Sequence, residues 1–165
     1  MASGRPVRPR GAWRKALWAA AAGVALLGQG AARAADIVIG QVAPLSGVLA
    51  STGEQMVLGG KIYFEAVNAQ GGVHGAMLRQ VVVDDGYEVA KTVARTRELL
   101  ARPDVLALFG FAGTANITQL LKDGVLDKGG AALVAPYTGG ESLRTPFNPW
   151  IFHVRAGYVD EAEHM

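Results

Sequence analysis

Leu108-Phe109-Gly110-Phe111-Ala112-Gly113-Thr114-Ala115-Asn116 is the stretch on which the reading of this chain turns. The apolar run at residues 105–109 predicts a buried strand. A turn holding Gly110 and Gly113 follows, and a helical pattern occupies residues 114–128. A strand that passes through a tight turn into a helix leaves the first helical amides unpaired. Those donors and the positive end of the helix dipole favour an anion, and Thr114 adds a hydroxyl beside them. Glycine at 110 and 113 keeps side chains away from the backbone where a ligand approaches. The turn therefore reads as a seat for a small carboxylate or amide. The plainer alternative is an ordinary strand-to-helix turn capped by Thr114.

Upstream, residues 36–42 are β-branched and bounded by Gly and Pro, which predicts a first strand. A turn through Pro44, Ser46 and Gly47 leaves its carboxyl end. A helix is expected over residues 54–70, with Leu58, Ile62, Ala66 and Ala69 on its apolar face. Gly59-Gly60-Lys61 lacks the upstream Gly and the following Ser or Thr of a phosphate loop, so the two glycines read as close-packing positions. Residues 78–83 form a second strand. It runs into Asp84-Asp85, neighbours that point to opposite faces and read as a polar strand end rather than a metal site. Val89, Val93, Thr96 and Leu100 space out a second helix that Pro103 ends. Residues 131–135 and 151–154 read as a fourth and a fifth strand.

Strands and helices alternate with short connections, which predicts an α/β fold: a parallel sheet with helices on both faces. Ligands of such sheets lie at the carboxyl ends of strands. The loops there, residues 44–52, 110–116 and 136–140, carry Ser46, Ser51, Thr52, Thr114, Tyr137 and Thr138. This hydroxyl-rich, neutral rim suits a small polar ligand and offers no acid–base pair. Ser46 lacks a nucleophile elbow, so hydrolysis through Ser46 or Thr114 is the weaker reading, and no enzyme activity is expected. His74, His153 and His164 are scattered, cysteine is absent, and no metal or cofactor is expected.

Residues 1–34 read differently from the rest. Arg5, Arg8, Arg10, Arg14 and Lys15 precede an apolar segment at residues 16–27, and Ala32-Arg33-Ala34 follows. That is the pattern of a secretory signal cleaved near Ala34, with export to the periplasm as its consequence. The segment is too short to span a bilayer comfortably. Residues 35–165 hold ten Lys and Arg against fourteen Asp and Glu, a formal −4, so the basic pI belongs to the leader. Without a basic stripe, nucleic-acid binding is set aside.

Pro44-Leu45-Ser46-Gly47, Asn68-Ala69-Gln70-Gly71-Gly72-Val73-His74-Gly75 and Val83-Asp84-Asp85 resemble the periplasmic leucine/isoleucine/valine-binding protein family. Residues 109–114 and Ala135-Pro136-Tyr137-Thr138 continue the match in the same order. The resemblance implies the N-terminal lobe of a type I periplasmic binding fold, the substrate-binding component of an ABC importer with a permease partner in the inner membrane. It implies that Ala112, Gly113 and Thr114 hold a ligand carboxylate. Tyr137, Thr138 and Gly139 would help hold an ammonium, and Thr52 or Ser51 would shield the pocket beside Ser46. The ligand expected is an amino acid, branched-chain-like, or a related small carboxylate or amide. A sensory module on the same fold is the alternative. Family members run to more than twice the length of residues 35–165, so a truncated lobe with an unfinished sheet edge and weak or absent binding is a further expectation.

Overall fold

A computed structural model describes residues 35–165. The leader expected over residues 1–34 lies outside the described residues. Five strands form one sheet in the order β2-β1-β3-β4-β5, and every pairing is parallel. They are β1 (Ile37–Ala43), β2 (Leu78–Asp84), β3 (Val105–Phe109), β4 (Leu133–Val134) and β5 (Ile151–Phe152). The helices are α1 (Ala50–Ala69), α2 (Val89–Leu100), α3 (Thr114–Lys122), α4 (Val125–Gly129) and α5 (Tyr158–Glu163). The chain reverses direction across the sheet after β2, which puts β1 beside both β2 and β3. In a doubly wound sheet that reversal opens a crevice at the strand ends.

The two faces are packed unequally. On one, α2, α3 and α4 cover β1 and β3, and Val42, Leu99, Leu108, Ile117, Leu120 and Leu126 interlock as the core. On the other, α1 lies mainly over β1 and β2 and reaches β3 through Gly60 and Phe64 against Phe109. Leu106 on β3 stays 66% exposed and Tyr63 on α1 67% exposed. Between α1 and the strands an apolar groove of about 340 Å³ runs along Ile39, Gly60, Tyr63, Phe64, Phe109 and Val134.

Several boundaries differ from the sequence expectation. α1 starts at Ala50 rather than 54, after a 3-10 turn at Gly47–Leu49, which draws Ser51 and Thr52 into its first turn. Its contact stripe is also different. Leu58 and Ile62 are exposed, whereas Gly53 and Gly60 are buried. A Cβ on Gly53 would sit 1.9 Å from the Pro44 carbonyl oxygen, and one on Gly60 would be 3.0 Å from Gln80 and 3.1 Å from Phe109. The close packing expected at Gly59 and Gly60 holds for Gly60 alone: Gly59 turns to open space, and Gly53, which hydrophobic spacing cannot reveal, packs on Pro44. The single helix expected over 114–128 is broken at Gly124, whose φ of 61° ends α3 and starts α4. β4 and β5 keep only two residues each, and Ala135 at φ 54° turns the chain out of β4.

Candidate functional site

The carboxyl end of β3 feeds Gly110 at φ 63° and then Phe111 and Ala112, both buried. Gly113 at φ 95° and ψ 127° is the N-cap of α3, and it supplies no capping side chain. A Cβ there would lie 2.6 Å from Asn116 Oδ1 and 2.8 Å from the Tyr87 ring, so space and backbone both demand glycine. The amides of Thr114 and Ala115 find no acceptor among the described residues. They are the open donors that an α-helix start presents to an anion.

Thr114 Oγ1 lies 2.5 Å from Thr138 Oγ1, which in turn accepts the Gly140 amide at 3.0 Å. The single Thr138 proton serves either Thr114 or the Tyr158 phenol oxygen 3.5 Å away; when it goes to Thr114, the Thr114 proton is left for an acceptor in the cleft. A Cβ on Gly140 would come within 2.5 Å of Thr114 Cγ2, so its absence lets this loop close on α3.

A cleft of about 280 Å³ brings together Thr52, Ala112, Gly113, Thr114 and Tyr137, five of the eight residues singled out from sequence. Thr138 is 1% exposed and sits behind Thr114 instead of lining the space. Gly139 gives its carbonyl to the Tyr158 amide at 2.8 Å and its open face to the Tyr158 ring. Ser46 stands apart: its hydroxyl donates to Asp84 Oδ2 at 2.6 Å, which fixes the β1–α1 turn and takes the group away from the cleft.

Leu49, Tyr87, Arg155 and Tyr158 complete the wall, and none was picked out from sequence. Arg155 lies 5.3 Å from the Tyr137 ring centroid and 5.6 Å from that of Tyr158. Glu161 receives it in a two-point pair at 2.6 and 2.8 Å. That pairing raises the guanidinium pKa and lowers the carboxyl pKa. The Tyr158 phenol is drawn below its usual range, chiefly by hydrogen bonding to the Thr138 hydroxyl and then to the Gly139 backbone. Tyr87 holds φ 63° directly after Asp84-Asp85-Gly86, and that turn is the one local signal that marked it. Among the described residues no three His, Asp or Glu side chains gather as a metal site, and no helix is long and apolar enough to cross a membrane.

The fold is thus a parallel α/β lobe with a polar cleft at the carboxyl ends of its strands. The family profile described as periplasmic binding protein matches residues 36–165, and the chain belongs to that family. An amino acid binding protein of Pseudomonas aeruginosa is 33% identical over 62% of this chain and 27% of its own. Leu/Ile/Val-binding protein homolog 3 of Brucella melitensis is 29% identical over 72% of this chain and 32% of its own. Among solved structures, a substrate-binding periplasmic protein from Ralstonia solanacearum superposes with a TM-score of 0.73 at 36% identity, covering 76% of this chain and 35% of that one. An extracellular ligand-binding receptor from Verminephrobacter eiseniae gives 0.71 at 33% identity, over 78% and 38%. The chain thus spans about a third of the length of these relatives and corresponds to their N-terminal part.

Proposed function

We propose that this chain supplies the carboxylate-holding lobe of an exported substrate-binding protein that serves an ABC importer. Its ligand is an amino acid, branched-chain-like, or a related small acid or amide. The observation that carries this reading is the start of α3, where Thr114 borders the cleft with its hydroxyl and an unpaired amide, and the next amide, of Ala115, is unpaired as well. The relatives named for amino-acid and Leu/Ile/Val binding support the ligand class. The permease in the inner membrane and the periplasmic location, with cleavage near Ala34, follow from the family and the leader pattern. Ala112, Gly113 and Thr114 bind the carboxylate, while Thr52, Tyr87, Tyr137 and Tyr158 enclose the remainder.

Capture needs no bond to form or break. The ligand carboxylate replaces water at the α3 amides, and helix dipole and hydroxyl stabilise it together. Isothermal titration of the chain and its Thr114→Val variant with L-isoleucine and benzoate tests this. Saturable binding that the variant loses, without turnover, is expected; binding indifferent to Thr114 contradicts it. The Verminephrobacter relative is called a receptor, which favours a sensory module as the second reading. Neighbouring genes for a permease and an ATPase would decide for transport, and a neighbouring signalling gene for the receptor.

A further inference from the structure

Behind the cleft lies a buried polar chain that touches no cleft space itself. Asp85 is 1% exposed at the end of β2, and Thr92 and Asn116 are buried beside it. Thr92 Oγ1 donates to Asp85 Oδ2 at 2.5 Å and accepts from Asn116 Nδ2 at 2.7 Å. Asn116 is the third residue of α3, directly after the open amides of Thr114 and Ala115. The other carboxylate oxygen of Asp85 accepts the Tyr87 amide at 2.9 Å. Tyr87 sits at φ 63°, a conformation that needs such a local bond to persist in a bulky residue. Its ring edge covers Gly113.

We propose that Asp85 is a positioning residue for ligand binding: one buried carboxylate fixes the two parts of the cleft wall that come from different connections, Tyr87 after β2 and the Gly113–Thr114 turn after β3. The proposal rests on the cleft being the ligand site. Binding at the α3 start depends on its amides being held in place before the ligand arrives, because a donor that must first be ordered subtracts that cost from affinity. A buried network with every member satisfied provides such rigidity.

The hydrogen-bond count predicts which substitutions the network tolerates. Asn at 85 can still accept from the Tyr87 amide and can donate to Thr92 Oγ1. The Thr92 proton then turns to the Glu88 carbonyl, already 3.1 Å away, and Asn116 keeps its acceptor. Ala at 85 leaves the Tyr87 amide without its acceptor and cuts the link from Tyr87 to Thr92, whose proton falls back on the Glu88 carbonyl. Thr96 supplies the control: it is equally buried on α2, and its hydroxyl only donates to the Thr92 carbonyl at 2.7 Å.

The test is to record amide resonances and melting temperature for the full chain and for Asp85→Ala, Asp85→Asn, Thr92→Val, Thr92→Ser and Thr96→Val, then titrate each with L-isoleucine and with benzoate. Asp85→Ala and Thr92→Val should move the amide signals of Tyr87, Thr114 and Ala115 and weaken probe binding about tenfold or more. Asp85→Asn and Thr92→Ser should keep both near wild type. Thr96→Val should lower the melting temperature while leaving those signals and the affinity in place. If Thr92→Val and Thr96→Val behave alike, or if the cleft amides stay put in Asp85→Ala, the positioning role is wrong. Signals that move as expected in a chain that binds neither probe would instead uphold the network and overturn the ligand reading. If Asp85→Ala does not fold, Thr92→Val against Thr92→Ser carries the same comparison.

Discussion

Asp84 and Asp85 are adjacent in sequence and serve different parts of the molecule. Asp84 accepts from the amides of Leu45, Ser46 and Gly86 and from the Ser46 hydroxyl, which pulls its pKa from 3.8 to about 2. The Ser46 hydroxyl is the largest cause. A carboxyl with a lowered folded pKa is protonated first in the unfolded chain, so it stabilises the fold above its ordinary value. That contribution drains away as pH falls from 3.8 towards 2. Melting temperatures of wild type and Asp84→Asn should therefore differ most near neutral pH and converge at about pH 2. Curves that run parallel through acid would rule the clamp out as a source of stability. Thr114 is the other decisive side chain. Thr114→Val should weaken ligand binding by about tenfold or more, the order expected when a hydrogen bond to a charged group is lost. Without ligand, the same variant should change stability by no more than about 1 kcal/mol, measured by denaturant titration.

At the scale of elements, α1 shows what sequence made legible and what it hid. The existence and order of the strands and main helices follow from β-branched runs and helical spacing, and the turn at 110–116 follows from its glycines. Of the packing face of α1 only Gly60 was legible: Gly53 packs closely too, while Gly59 is open and Leu58 and Ile62 face outward. Arg155 and Tyr158 were likewise invisible as cleft residues: they reach the site only through the long connection after β4, past a loop and the two-residue β5. The two adjacent glycines of α1 should respond oppositely to alanine. Gly59 has open space around it, so Gly59→Ala should stabilise the chain by about 0.5–1 kcal/mol through helix propensity alone. Gly60→Ala must displace Gln80 or Phe109 and should gain nothing, and Gly53→Ala should be the most damaging of the three. Chemical denaturation of the three variants checks that ranking; equal effects would mean α1 does not sit this close to the sheet.

At the scale of the molecule, the unequal faces set its behaviour in solution. Tyr63 lines an apolar groove, Leu106 and Ile62 are exposed as well, and exposed apolar area of that kind promotes association. The chain should enhance the fluorescence of a dye such as ANS, and Leu106→Thr should reduce that signal with little loss of stability, since Leu106 is 66% exposed. The cleft lies at the carboxyl ends of the strands, while the groove runs along the α1 face, so the proposed ligand capture is separable from apolar exposure. Ligand that binds only the folded lobe raises its melting temperature by mass action. The most direct measurement is therefore a thermal-shift series on the purified chain and its Thr114→Val variant, with L-leucine, L-isoleucine, acetamide and benzoate. A cooperative melt raised in a saturable way by one of these, and no longer raised in Thr114→Val, is the result predicted here. A melt that none of them moves, or a rise that survives loss of the Thr114 hydroxyl, would contradict a ligand seat at the start of α3.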